Sequence, residues 1–209
     1  MYKLYARPGS GSAAIEAILS EACAQYEVVD VERRPDRKPP PDLLKINPLG
    51  QVPALILENG EVMTESAAMM IHLGDAYPAA QLAPSVTSPE RPAYLRWMIY
   101  LAANIYMTDL RMYYCERYTT DPKGADGVKA AAIAHMAREW DIAAEALGKR
   151  PYFVGGKMSA VDIYAAMLAT WNPDVPAFFA RHANVKALYD RVAQRPRIAA
   201  AWKRNGMEI

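Results

Sequence analysis

Cysteine is nearly absent. The chain of 209 residues carries only Cys23 and Cys115, far apart and neither within a C-x-x-C pair. That excludes a disulfide scaffold and gives no zinc site. Histidine is scarce too, and His72, His135 and His182 lack ligand spacing, so no metal is expected. No apolar run approaches the roughly 20 residues that span a bilayer. An excess of one charge is also missing: the formal net charge is +1, which points to neither a nucleic-acid nor a membrane partner. The first residues lack a basic region followed by an apolar core and cleavage site, so a cytoplasmic location is the expectation.

What is present fits a soluble globular protein. Hydrophobic residues make up 52% and charged residues 22%, enough for one large core or two modest ones. The first eighty residues alternate in character. Tyr2–Tyr5 reads as a strand, Ala13–Ala24 as a helix with Ile15, Ile18 and Leu19 on one face, and Tyr26–Val31 as a second strand. The proline-rich R-R-P-D-R-K-P-P-P then excludes a regular helix, and Asp42–Ile46 follows as one helical turn. Val52–Leu57 and Glu61–Met63 form a hairpin about Asn59-Gly60, and Ser66–Tyr77 is another helix. Parallel strands joined by a helix, then a hairpin and a packing helix, make a compact α/β unit.

Pro78, Pro84, Pro89 and Pro92 punctuate a linker. Beyond it the spacing predicts helices over Tyr94–Tyr118, Val128–Leu147, Val161–Trp171 and Val185–Arg195, with no strand between them. The expected organisation is an α/β domain over 1–79, a linker over 80–91 and an all-helical domain over 92–209. Ser159 and Asp162 predict a capping box, with Met158 and Ile163 spaced as its hydrophobic staple.

Local motifs sharpen this. N-P-L-G-Q-V-P-A-L, from Asn47 to Leu55, resembles the N-P-x-G-x-V-P-x-L signature of cytosolic glutathione transferases. T-E-S-A-A-M-M-I-H-L, from Thr64, looks like the family's glutamate-serine pair opening its third helix, and the capping box is similar to a hallmark of its helical domain. The opening M-Y-K-L-Y-A-R-P-G is most like bacterial members. The resemblance implies a thioredoxin-like N-terminal domain followed by an all-α domain. It implies glutathione as co-substrate, a small apolar electrophile as second substrate, and a two-fold homodimer.

It also assigns residues. Pro53 is expected to be cis, leaving Val52 to offer its N–H and C=O to the cysteinyl backbone as an added strand would. Ser66 would hold the γ-glutamyl carboxylate at a helix start and Glu65 would face the ammonium. Gln51 would contact the tripeptide backbone, and Arg37 or Lys38 the glycyl carboxylate.

The turn P-G-S-G-S raises the question of sulfur. A free thiol has a pKa of about 8.5, and only the anion is nucleophilic. A helix N-terminus and one hydroxyl donor suffice to lower it by a unit or two, each unit being roughly 1.4 kcal/mol. Ser10 is the first candidate for that donor, Ser12 the second and Tyr5 the third. Bacterial members with P-G-A-C-S carry a cysteine where this chain has Gly11, so disulfide exchange of the glutaredoxin kind is not expected. The electrophile pocket is expected to use Gly11, Asn104, Tyr106 and Tyr113. The leading expectation is conjugation of glutathione thiolate to small electrophiles. Glutathione-dependent peroxide reduction, or binding without turnover, are the alternatives. Cys23, toward the far end of the first helix, is expected to be a small buried hydrophobe.

Overall fold

The computed structural model describes residues 1–36 and 38–207. Strand β1 (Tyr2–Ala6) alternates buried and half-buried residues, as a strand with one packed face must. It leads into α1 (Ser12–Glu21), β2 (Tyr26–Asp30), the short α2 (Pro41–Ile46), β3 (Ala54–Ile56), β4 (Val62–Met63) and α3 (Ser66–Ala76). The sheet order is β2-β1-β3-β4, with β1 and β2 parallel and the β1–β3 and β3–β4 pairs antiparallel. This is the thioredoxin-like arrangement. Leu4, Ala6 and Leu55 are fully buried with Ala13, Ile15 and Leu19 of α1 in one core.

The second half is helical: α4 (Arg91–Tyr100), a π-helical turn (Leu101–Tyr106), α5 (Met107–Tyr113), α6 (Ala125–Leu147), α7 (Ala160–Ala169), α8 (Val175–Arg181), α9 (Ala183–Ala193) and α10 (Pro196–Arg204). Every residue of α7 is buried, which explains why its sequence is apolar on all sides apart from Asp162 and the Tyr164 hydroxyl. The capping box at its start is formed. The Asp162 carboxylate accepts the Ser159 N–H at 2.7 Å, the Ser159 hydroxyl at 2.9 Å and the Phe153 N–H at 2.8 Å.

Charged contacts join the halves. Arg91, at the start of α4, donates two hydrogen bonds to Asp75 of α3, at 2.6 and 2.7 Å. Glu16 of α1 is buried and accepts from Arg204 at 2.7 and 2.8 Å and from Asn205 at 2.8 Å. Arg195 pairs with Glu21 in the same way.

The helix expected over Tyr94–Tyr118 starts earlier and ends sooner. It contains the π turn, breaks at Tyr114 where φ is −129°, and continues as a 3₁₀ turn over Cys115–Tyr118. Helices α8 and α10 were not expected. The reading of Cys23 is corrected: α1 ends at Glu21, and Cys23 is exposed with φ +56°. It occupies the left-handed position just past a helix end, where the chain turns away from the core.

Candidate functional site

A cleft lies where the two halves meet. From the α/β half its lining includes Gln51, Val52, Pro53, Glu65 and Ser66; from the helical half it includes Ala102, Tyr106, Met107, Leu110 and Tyr164. A larger cleft of about 470 Å³, near Gln81, Glu90 and Lys157, contains none of the expected site residues.

The Val52–Pro53 peptide is cis, as expected. Asn47 closes the loop before it, its Nδ2 donating to the Gln51 carbonyl at 2.9 Å and its Oδ1 accepting from the Leu49 N–H at 3.1 Å. Pairing between β1 and β3 begins only at Ala54. Val52 is therefore left outside the ladder, with no hydrogen bond to its main chain among the described residues. An extended peptide laid against it would find one donor and one acceptor waiting.

Glu65 takes φ +64°, an uncommon conformation for a residue with a side chain, and is exposed at the start of α3. Its carboxylate has no partner among the described residues. Ser66 follows as the first helical residue, where N–H groups lack intrahelical acceptors. Its hydroxyl and that of Tyr164 bond each other at 2.7 Å. Burial pushes the Tyr164 phenol well up, so it stays neutral. Acceptors for an ammonium and donors for a carboxylate thus stand side by side.

The β1–α1 turn is built on its own hydroxyls. Gly9 has φ +69°, which a side chain would oppose. Ser10 Oγ donates to the Arg7 carbonyl at 2.7 Å, and Ser12 Oγ lies 3.0 Å from the same oxygen. The two hydroxyls are 2.8 Å apart, and the Arg7 N–H donates to Ser12 Oγ at 3.1 Å. Ser12 is fully buried and Ser10 half-buried. Tyr5 lies on the face of β1 opposite Leu4 and Ala6, because side chains alternate along a strand.

Gly11 has an ordinary helical backbone, so its small size answers to space and not to φ. A Cβ there would lie 2.5 Å from Tyr106 Oη and 3.0 Å from its ring. The Gly11 N–H faces that hydroxyl, and burial first, then Asp109, pushes the phenol's pKa well up. The Tyr106 ring is held edge-on to Trp171, centroids 5.2 Å apart, and 6.2 Å from Tyr164.

The remaining expected residues lie apart. Asn104 turns back along its helix, its Nδ2 donating to the Tyr100 carbonyl at 3.3 Å, and is not among the cleft-lining residues. Tyr113 is 55% exposed and donates to the Trp171 carbonyl at 2.8 Å. Lys38 is exposed, its N–H bonded to Asp36, and Arg37 lies outside the described residues. Among the described residues, no group of three His, Cys, Asp or Glu side chains could hold a metal. Sequence reasoning missed Tyr164 and Leu110. Leu110 lies four residues beyond Tyr106 along one helix, a spacing that could have found it.

Comparison with known proteins gives the family. Residues 1–75 match the glutathione S-transferase N-terminal domain and residues 105–196 the C-terminal domain. The chain is 35% identical to the uncharacterized GST-like protein YncG of Escherichia coli strain K12, over 98% of each chain. It belongs to the glutathione S-transferase family. A sphingomonad glutathione S-transferase solved complexed with glutathione is 30% identical, with a TM-score of 0.82 over 99% of this chain and all of that one. A glutathione transferase homolog from Sulfitobacter with bound glutathione is 27% identical, with a TM-score of 0.88 over 100% and 99%.

Proposed function

We propose that this protein is a glutathione transferase that joins the glutathione sulfur to small hydrophobic electrophiles. The observation carrying the reading is the unpaired main chain of Val52 beside Pro53, facing Glu65 and Ser66 across one cleft. The cysteinyl backbone pairs with Val52, the γ-glutamyl carboxylate takes the Ser66 hydroxyl and N–H, and its ammonium takes Glu65. Gln51 reaches the tripeptide backbone and Lys38 the glycyl end. Sulfur then points to the β1–α1 turn, where the start of α1 favours an anion.

Conjugation needs the thiol to lose its proton to solvent. The thiolate attacks an electrophilic carbon, and the leaving group, a halide for an aryl halide, departs with its bonding pair. The apolar side is formed by Met107 and Leu110. Exposed Leu95, Ile99 and Val62 support a homodimer that would cover them.

One observation favours the alternative of binding without turnover: the hydroxyls of Ser10 and Ser12 are already bonded to the Arg7 carbonyl and to each other. Calorimetry with glutathione, the ultraviolet thiolate band of the bound tripeptide and turnover with aryl halides and isothiocyanates separate the two. Binding without thiolate or product would establish the non-catalytic protein.

A further inference from the structure

The turn hydroxyls are committed to building the turn, yet a thiolate in this cleft needs a donor. The cleft-lining tyrosines are Tyr106 and Tyr164, and Tyr164 is engaged with Ser66. Tyr106 has no acceptor for its proton among the described residues. It comes from the helical half, but its Oη lies 2.5 Å from where the first carbon of a side chain at position 11 would be, too close for any such carbon. The π turn that ends at Tyr106 adds a residue to the helical repeat there, so the direction of this side chain differs from that in a regular α-helix.

We infer that the O–H directed at the glutathione sulfur is supplied across the domain boundary by Tyr106, and that Gly11 is glycine because that hydroxyl fills its side-chain space. The inference rests on the proposed glutathione site and names its thiolate donor. The role requires a phenol that keeps its proton, since a phenolate would repel the thiolate. Burial enforces that: the group is raised far from neutral pH and acts only as a donor. Its ring is locked between Trp171 and Tyr164, so the O–H is preorganised and little rotamer freedom is lost on binding. The position is also one where a single donor acts together with the start of α1, which Gly11 directly precedes.

The test is a spectroscopic titration of the thiolate band against pH, on the full chain saturated with glutathione, with calorimetry run beside it. In Tyr106→Phe, which keeps the ring, glutathione affinity should stay within about threefold while the bound thiol's pKa rises by about one unit. kcat at neutral pH should then fall about tenfold with little change in KM. Gly11→Ala, whose methyl would clash with Oη and push it aside, should raise the thiol pKa similarly, and the double variant should be no worse than either single one. An unchanged titration in Tyr106→Phe, or one that moves in Ser10→Ala instead, overturns the inference and leaves the glutathione site standing. Absence of calorimetric binding by the unaltered protein sinks the glutathione reading itself.

Discussion

The hydroxyls of Ser66 and Tyr164 meet at 2.7 Å, joining the first residue of α3 to the buried centre of the helical half. A residue assigned to the γ-glutamyl end of glutathione is thus oriented by a phenol from the other half of the molecule. Tyr164→Phe keeps the packing but frees the serine rotor. The affinity for glutathione should fall about five- to tenfold, in line with one hydrogen bond worth roughly 1 kcal/mol. Calorimetry checks this, and an unchanged dissociation constant would show that Ser66 needs no help.

Glu16 is nearly inaccessible and depends on Arg204 and Asn205. Arg204→Ala leaves the carboxylate with the asparagine alone. Breaking a buried pair costs about 3–5 kcal/mol, but Arg204 is one-third exposed, so about 2–3 kcal/mol is expected. Denaturant unfolding would measure it, and Glu16→Gln with Arg204→Ala should recover part of the loss.

The Asp162 carboxylate accepts from two N–H groups and one hydroxyl in a fully buried setting. Ser159→Ala should cost about 1 kcal/mol, as the loss of a helix cap does. Asp162→Ala strands several buried donors and should cost on the order of 3 kcal/mol or more. Equal melting temperatures for the two variants would contradict that ranking.

Asp109 is buried with neither carboxylate oxygen bonded, and burial, then the charge of Glu139, pushes its pKa well up. The folded chain therefore holds a proton that the unfolded chain releases from about pH 4 upward. Stability from this group is complete below that pH and is lost as pH rises toward the raised value. Asp109→Asn removes the titration. It should stabilise the protein by about 1–3 kcal/mol at pH 8 and by less at pH 5, read from thermal melts. A pH-independent effect would show that packing, not charge, is responsible.

Much of the fold is legible from local pattern. The alternation of Tyr2–Tyr5, the Asn59-Gly60 turn and the Ser159–Asp162 box all act over a few residues, and each appears where the sequence places it. What escapes is set by distant partners. Helix α10 has Ile198, Ala201 and Trp202 at helical spacing and begins at Pro196, but it draws its docking from Glu16 at the other end of the chain. The π turn has no short-range signature, and without it the face carrying Tyr106 cannot be told from that carrying Asn104. Cys23 misleads because its type suggests burial while the end of α1 leaves it on the surface. The Gly11–Tyr106 relationship is invisible in sequence, since a small residue there reads equally well as freedom of the turn.

The Gly9 N–H donates to the Asn205 carbonyl at 3.2 Å, so the loop after β1 leans on the segment that follows the last helix. Edits near Asn205, including a fused tag that tugs on it, should be felt in that loop as well as in the Glu16 pair. Anyone grafting the α/β half onto another scaffold would have to carry that distal brace along with it.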